Sequence, residues 1–454
     1  MIIINCGVFH LESENLYENV IMQYKSYNVR PLAFFTDVYI FSWFWDNMYA
    51  LLLIMLIMHV ANLFFIYKIC EKIDIKLNAF CMILFAFAPI LIEALYWISA
   101  STRIVFSLFL CLVSIYLLLQ SIEQEKTISR LTMFFCAIIL NLACVGYYEQ
   151  TIALNLFLFT FVMICLKKYK YILIPVISTS WIGAWYVYFM MNGEMQSRGA
   201  LNLSGIFEAL KYCITMVLDK FEIAYSNFVR SLNFGTETVL NSVASLFLLI
   251  LLCVAIFYLY RSHCTKDENK RFWRKLILGA ILFVVPFLPF LVLETSYIAM
   301  RNMYLPFLGL AIVLEVIFDL ILKLVKNEKA CNILKTSVCG FLMIVFVISN
   351  IDGTNNYKKV NELDTKVVEQ LVEVVPEDAF ENGETISINY DVDELNKYKN
   401  LSNFVESVIE SDWATMGKIQ VVRRDRAVGM VYINSKANEA DYTVYLDSNM
   451  EVQF

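Results

Sequence analysis

Apolar runs of about 17 to 22 residues recur along the chain, and no other feature narrows its fold as far. At about 1.5 Å of rise per residue, a helical run of that length crosses ~30 Å of hydrocarbon. The bulk composition agrees: 59% of residues are hydrophobic and 17% are charged, against roughly 45–50% and 25% in soluble domains. The pattern predicts an all-α polytopic membrane protein of about ten transmembrane helices, with nine to eleven as the range. The expected spans are 49–69, 78–97, 103–121, 130–147, 150–166, 171–190, 238–260, 275–293, 302–323 and 333–350.

Orientation follows from loop charge. Alternate loops hold Lys68, Lys72 and Lys76; Lys126 and Arg130; Lys167, Lys168 and Lys170; Arg261 to Lys275; and Lys323 to Lys335, eighteen basic residues in all. The other short loops, 97–103, 147–150 and 293–301, hold only Arg103 and Arg301. The positive-inside rule places the first set in the cytoplasm. Residues 1–48, 191–237 and 351–454 then face outward, on a multi-pass protein of the cell (plasma) membrane.

Three segments lie outside the spans. In the N-terminal segment 1–48, residues 33–45 are aromatic and too short to cross, so they read as an interfacial or re-entrant helix with Trp43 and Trp45 at headgroup level. In 191–237, Glu208, Lys211, Thr215, Asp219, Glu222, Ser226 and Arg230 recur every three or four residues between apolar positions. That is an amphipathic helix for the outer interface, with an eleventh span as the alternative. The tail 351–454 carries twenty acidic residues against ten basic ones. It reads as a separate extracytoplasmic α/β or α+β domain, with strands at 385–390, 418–422, 429–434 and 441–446 and a helix at 401–413.

The membrane domain 49–350 places several charges at one level. Glu93 and Trp97 end one span, Arg103 opens the next, Glu149 follows the short turn "GYYEQ", and Arg301 precedes "NMYLPFLG". A charge at membrane depth costs at least ~2.5–3.5 kcal/mol unless it pairs or lines a wet cavity. Two readings follow. Either Glu93 or Glu149 pairs with Arg103 or Arg301 and locks helices together, or the arginines face an outward cavity and hold a phosphate through their planar fork. Trp97 and Tyr96 also suit a plain interfacial anchor, and His59 suits a helix-to-helix hydrogen bond with a partner such as Asn62. The twelve cysteines, mostly inside apolar runs and without a C-x-x-C pair, read as small apolar filler. Three scattered histidines argue against a metal cluster.

Taken in order, "YNVRPLAFF", "MLIMHVANLFF", "FAFAPILIEALYWISASTRIVF", "ACVGYYEQTIALN" and "RNMYLPFLGLAIVL" resemble the polyprenol-dependent glycosyltransferases of the GT-C type, the class of protein O-mannosyltransferases and bacterial lipid-sugar transferases. The resemblance covers some 280 residues and rests on the order and spacing of loose motifs. It implies a polyprenyl-phospho-sugar lipid donor, a glycan or protein acceptor in the envelope, and inverting sugar transfer at the outer face. Arg30, Glu93, Trp97, Arg103, Glu149, Arg301 and Tyr304 would then line the donor site. A carboxylate would take the acceptor proton or position a divalent cation. No nucleic-acid partner is expected.

The family pattern places a spanning helix and an acidic Asp-rich loop ahead of this region. Here "MIIINCGVFHLESENLYENV" occupies that place. Glu12 and Glu14 are therefore the candidate bases, with Asp37 behind them. The expectation is glutamate in place of aspartate, a reading frame that starts late, or an inactive copy. Two rival classes stand beside this one: a polysaccharide polymerase or ligase working through Arg198, Lys211 and Arg230 of the outer loop, and a transporter. Against the transporter stands the lack of an internal repeat or of paired broken helices.

Overall fold

The computed structural model describes residues 30–44, 47–192, 206–231, 268–292, 297–325, 327–399, 407–423, 431–434 and 440–453. They fall into two compact units, one holding 30–33 and 52–350, the other 34–51 and 351–453.

The first unit is helical. Its elements are α2 (Met48–Lys72, after α1, Pro31–Tyr39), α3 (Ala79–Phe87), α4 (Ile92–Tyr96), α5 (Ile98–Glu123), α6 (Thr127–Cys144), α7 (Glu149–Cys165), α8 (Leu173–Met191), α9 (Ile206–Ser231), α10 (Glu268–Val284), α11 (Leu288–Val292), α12 (Tyr304–Leu322) and the start of α13 (Glu328–Val374). Among the described residues, seven helices are long and apolar enough to cross a membrane, or eight if α3 and α4 form one bent span. The chain is thus a multi-pass membrane protein. The expected span at 150–166 is the 17-residue α7, and the one at 238–260 lies outside the described residues.

The expected single helix at 78–97 is broken. The α3 and α4 segments meet at 44° across Ala88 and a 3-10 turn, Pro89–Leu91. Proline has no N–H to continue the ladder, so carbonyls before it lose their partners, and in hydrocarbon an orphaned carbonyl costs several kcal/mol. Side chains from elsewhere replace them. His59 Nε2 lies 3.3 Å from the Ala86 carbonyl, and Asn350 Nδ2 donates to the Phe87 carbonyl at 2.7 Å. With Nε2–H committed to Ala86, His59 Nδ1 is left to accept from the Tyr304 hydroxyl at 2.8 Å. That hydroxyl in turn accepts from Asn62 Nδ2 at 3.2 Å. His59 and Asn62 therefore meet through Tyr304 rather than directly.

Polar side chains also tie the bundle internally. Asn141 of α6 and Asn155 of α7 exchange amide hydrogen bonds at 2.8 and 3.1 Å, Asn141 donates to Ser114 at 3.1 Å, and Ser178 donates to Asn141 at 2.7 Å. Between helices in lipid, such bonds and close packing supply the adhesion that water supplies elsewhere. The α10 and α12 helices approach at Gly279 and Gly309, where an added Cβ on Gly309 would stand 2.2 Å from the Phe283 nitrogen.

The amphipathic helix expected in 191–237 is α9. Cys213, Met216 and Val217 pack against Phe287, Phe290, Leu291 and Ile298, while Phe207, Ile214, Leu218 and Tyr225 stay exposed.

In the second unit, the aromatic stretch expected at 33–45 forms α1 and a 3-10 turn, Phe41–Phe44, with Trp43 exposed; Trp45 lies outside the described residues. The C-terminal part holds α14 (Glu377–Glu381), β1 (Ile386–Asn389), α15 (Val392–Lys399), α16 (Asp412–Arg423), β2 (Val431–Ile433), β3 (Tyr442–Leu446) and β4 (Val452–Gln453). The sheet order is β2-β1-β3-β4. β1 runs parallel to both neighbours, and β4 pairs antiparallel with β3. The α/β alternative therefore holds for the tail.

Three boundaries differ from the sequence reading. Helix α13 runs on to Val374 instead of ending at 350. Its apolar span gives way to a one-sided stripe on which Val360 is buried and Leu363, Val367, Val368 and Leu371 join the core of Phe380, Ile386, Ile388, Ile419 and Val444. Residues 418–422 are helical rather than a strand, because Thr415 and Ile419 are buried at a four-residue spacing with Met416 and Val422 beside them. The helix expected over 401–413 begins only at Asp412, preceded by a 3-10 turn at Val408–Glu410, and 401–406 lie outside the described residues.

Candidate functional site

The charged level of the membrane unit is assembled around the turn between α6 and α7. The Leu32 N–H donates to the Gly146 carbonyl at 3.1 Å. Gly146 has no side chain to obstruct this, since a Cβ there would lie 2.7 Å from Leu32 Cγ. The contact brings Arg30 to the start of α7, where its Nε donates to Glu149 at 2.9 Å. The guanidinium carbon stands 4.5 Å from the Tyr148 ring centre.

A second ion pair repeats the design. The Pro89 break carries α4 round so that Glu93 meets the segment before α12. One Glu93 oxygen accepts the Arg301 peptide N–H at 2.9 Å, and the other pairs with the Arg301 guanidinium. That guanidinium lies 4.4 Å above the Trp97 ring, which sits at the junction of α4 and α5. Each arginine is thus held by a carboxylate on one side and an aromatic face on the other, an arrangement that partial desolvation strengthens.

Neutral groups link the two pairs. Asn302 donates through Nδ2 to the Tyr148 hydroxyl. Its carbonyl accepts from Gln150 at 3.1 Å, and its Oδ1 accepts the Ala299 N–H at 2.8 Å. Arg103, half-buried in the first turns of α5, lies with Arg30, Glu149 and Arg301 within electrostatic reach of Tyr148.

Arg30, Glu93, Trp97, Glu149 and Arg301 therefore come together, with Arg103 beside them. Glu93 pairs with Arg301, one of the combinations expected; the partner of Glu149 is Arg30, which was not. Tyr304 is placed apart, fully buried among His59, Asn62 and Phe85. Asp37 is buried in α1. Lys211 is exposed on α9. Glu12, Glu14 and Arg198 lie outside the described residues. Tyr148, Gln150 and Asn302 were overlooked as connectors. The signal was available in "YYEQ" and "RN", short polar clusters each abutting an apolar run.

A second buried charge cluster also escaped the sequence reading. Lys275, at the base of α10, pairs with Glu315 and with Asp319 at 3.1 Å, both on α12. Glu315 accepts the Asn78 and Cys81 N–H groups at 2.8 and 3.2 Å, and so caps α3. Glu315 and Asp319 stand four residues apart within an apolar helix, which marks one acidic face.

The Arg30 and Arg301 guanidinium groups have donors to spare. Among the described residues neither Arg30 nor Arg301 makes a further hydrogen bond beyond its carboxylate. Such donors, planar and next to aromatic faces, suit the oxygens of a phosphate. Among the described residues no group of three or more His, Cys, Asp or Glu side chains could hold a metal ion. Comparison with protein-family models, with curated proteins and with solved structures gave no match.

Proposed function

We propose that the chain is a membrane glycosyltransferase that moves a sugar from a polyprenyl-phosphate carrier to an envelope glycan or other acceptor on the outer side. One observation carries the reading. Residues that give the chain its likeness to GT-C enzymes, spread from Arg30 to Arg301, meet in a single network of stacked guanidinium groups.

In this reading an acceptor hydroxyl attacks the anomeric carbon of the donor, and a glycosidic bond forms with inversion. The bond from that carbon to the phosphate oxygen breaks, and its electron pair leaves with the polyprenyl phosphate. Arg301, Arg103 and Arg30 steady the charge that develops on the leaving phosphate, the largest single contribution available to such a site. The acceptor proton passes to a carboxylate, with Glu12 and Glu14 as the candidates.

The test is transfer of label from a panel of radiolabelled hexosyl polyprenyl phosphates to envelope acceptors, using the full chain in proteoliposomes. Transfer by the unaltered chain, lost on Arg301→Ala and on the double change Glu12→Gln, Glu14→Gln, supports the reading. Absence of transfer with every donor, or full activity in the double variant, removes respectively the reaction and the assigned base.

A further inference from the structure

The turns that join α5 to α6 and α7 to α8 bring five cations to one surface of the membrane unit. Lys126 and Arg130 precede Phe134 at four-residue intervals, so the three share one side of α6. The Phe134 ring meets Tyr171 of the turn before α8, with ring centres 6.2 Å apart. That turn carries Lys167, Lys168 and Lys170, and Lys170 Nζ stands 4.9 Å from the Tyr171 ring centre. All five side chains are exposed, and among the described residues none of them pairs with a carboxylate. On the same side of the bundle Lys68, Lys72, Lys275 and Lys335 are each held by a Glu or an Asp. The positive-inside bias asks only that cations lie on one side of the membrane; it does not ask them to gather without partners. Nor does local structure ask for them. Lys126 and Arg130 stand at the start of α6, which has no acid in its first turn, where the helix dipole disfavours cations. Just inside the membrane from this cluster, Ile128 and Leu131 of α6 and Leu173 and Ile177 of α8 are exposed. The two helices are joined there by the Ser178–Asn141 and Trp181–Leu142 hydrogen bonds, so one apolar face runs from the cations into the hydrocarbon.

We propose that this surface binds an acidic phospholipid of the adjoining leaflet, with its headgroup among Arg130, Lys167, Lys168 and Lys170 and its acyl chains along the exposed faces of α6 and α8. Charge and apolar surface together select the occupant. A zwitterionic lipid covers the apolar face but brings no net charge to the five cations. A soluble anion answers the charge but leaves the apolar face uncovered. An acidic phospholipid does both. Arg130 can hold its phosphate through a planar fork, while the lysines act as point charges. Each cation beside an anionic membrane surface favours binding by about fivefold. The site lies at the opposite end of α7 from Glu149 and owes nothing to the glycosyltransferase reading, so it stands or falls apart from that reading.

The experiment counts the lipids that the full chain retains in detergent micelles containing equal amounts of dioleoyl phosphatidylglycerol and dioleoyl phosphatidylcholine, by native mass spectrometry. The two probes share their acyl chains, so their ratio reports the headgroup alone. The unaltered chain should retain phosphatidylglycerol in preference by about tenfold or more, from several cations worth about fivefold each. Arg130→Gln, Lys168→Gln and Lys170→Gln should each lower that ratio, and the triple change should bring it near one. Lys68→Gln with Lys72→Gln removes two cations that already have acidic partners, and should leave the ratio unchanged. Lys167→Gly separates lipid binding from folding. Lys167 has a left-handed backbone, φ 56°, which glycine adopts more readily at a helix end. The glycine variant should therefore melt no lower than the unaltered chain and still lose preference for phosphatidylglycerol. High salt applied to the unaltered chain should screen the exposed cations and abolish the preference, a readout that needs no variant to fold. A ratio near one in the unaltered chain, or an equal fall in the Lys68, Lys72 control, overturns the site. Thermal stabilisation by inorganic phosphate equal to that by phosphatidylglycerol, and lost in the triple variant, would make the ligand a soluble anion and overturn the lipid assignment.

Discussion

Gly309→Ala should be among the most damaging single-methyl additions in the membrane unit. A Cβ at this position would lie 2.2 Å from the Phe283 nitrogen, 2.5 Å from the Gly279 oxygen and 2.5 Å from the Leu282 carbonyl carbon. All three are backbone atoms of α10, so no side chain can rotate aside. To reach an ordinary contact of 3.4 Å the helices must open by 3.4 − 2.2 = 1.2 Å at their crossing. Overpacking in a core costs about 1–3 kcal/mol where side chains can give; here the upper end or beyond is expected. The opening also moves the segment before α12, which carries Arg301 and Asn302. A misplacement near 1 Å can cost about a hundredfold in rate. Gly279→Ala is a graded case, because its nearest neighbour is the Val313 Cγ2 at 2.9 Å, the end of a side chain. Gly183 and Gly340 have nothing within 4 Å, so alanine there should be neutral or stabilising by about 0.5–1 kcal/mol through helix propensity. The assay is thermal unfolding in detergent, followed by size-exclusion with fluorescence. The expected order of stability is Gly183→Ala and Gly340→Ala above Gly279→Ala, with Gly309→Ala lowest. If Gly309→Ala melts with the two controls, the close crossing of α10 and α12 is wrong.

Two further outcomes follow from buried charge. Lys275→Met should cost about 3–5 kcal/mol by leaving Glu315 buried without its cation, and adding Glu315→Gln should recover most of the loss; equal melting of the single and double variants would show that the ion pair is not the cause. Asp364, whose oxygens accept from the Ser407 hydroxyl and from the Val408 N–H at 3.1 Å, is pushed by burial up to about 6 from an ordinary 3.8. A carboxyl raised on folding contributes stability that is complete below 3.8 and lost as pH rises through 6. Hydrogen-exchange protection of the Ile386 and Ile388 amides should therefore be greater near pH 4 than near pH 7, by about 3 kcal/mol, each tenfold change in proton affinity being worth roughly 1.4 kcal/mol. Asp364→Asn should flatten that dependence, and an unchanged profile would refute the assignment.

What could be read from the chain, and what could not, divides along a physical line. Seven span positions among the described residues were legible because hydrocarbon imposes its demand on each segment separately: any run that crosses must satisfy its own backbone and be apolar along its length. The break at Pro89 satisfies its backbone through other segments. The carbonyls freed there are taken by His59, 27 residues earlier, and by Asn350, 263 residues later. A local reading sees an apolar run with a proline in it and has no means of finding those partners. The consequence reaches the charged network. With α4 turned by 44° at the break, Glu93 meets Arg301 across the bundle. The pairing of Glu149 is hidden in the same way, since Arg30 arrives beside a peptide hydrogen bond from Leu32 to Gly146 that carries no mark in composition. Residue types and their level along the helices were thus legible, whereas partner choice was decided by one kink and one backbone contact. The Lys275–Glu315 pair obeys the same logic from the other end of the helices. Glu315 was absorbed into an apolar span and Lys275 into a basic loop, although their union, capping α3, holds the first half of the broken span in place. The bend that turns Glu93 toward Arg301 is therefore held from both sides. Carbonyl partners secure it at the break, and a buried ion pair secures α3 at its start.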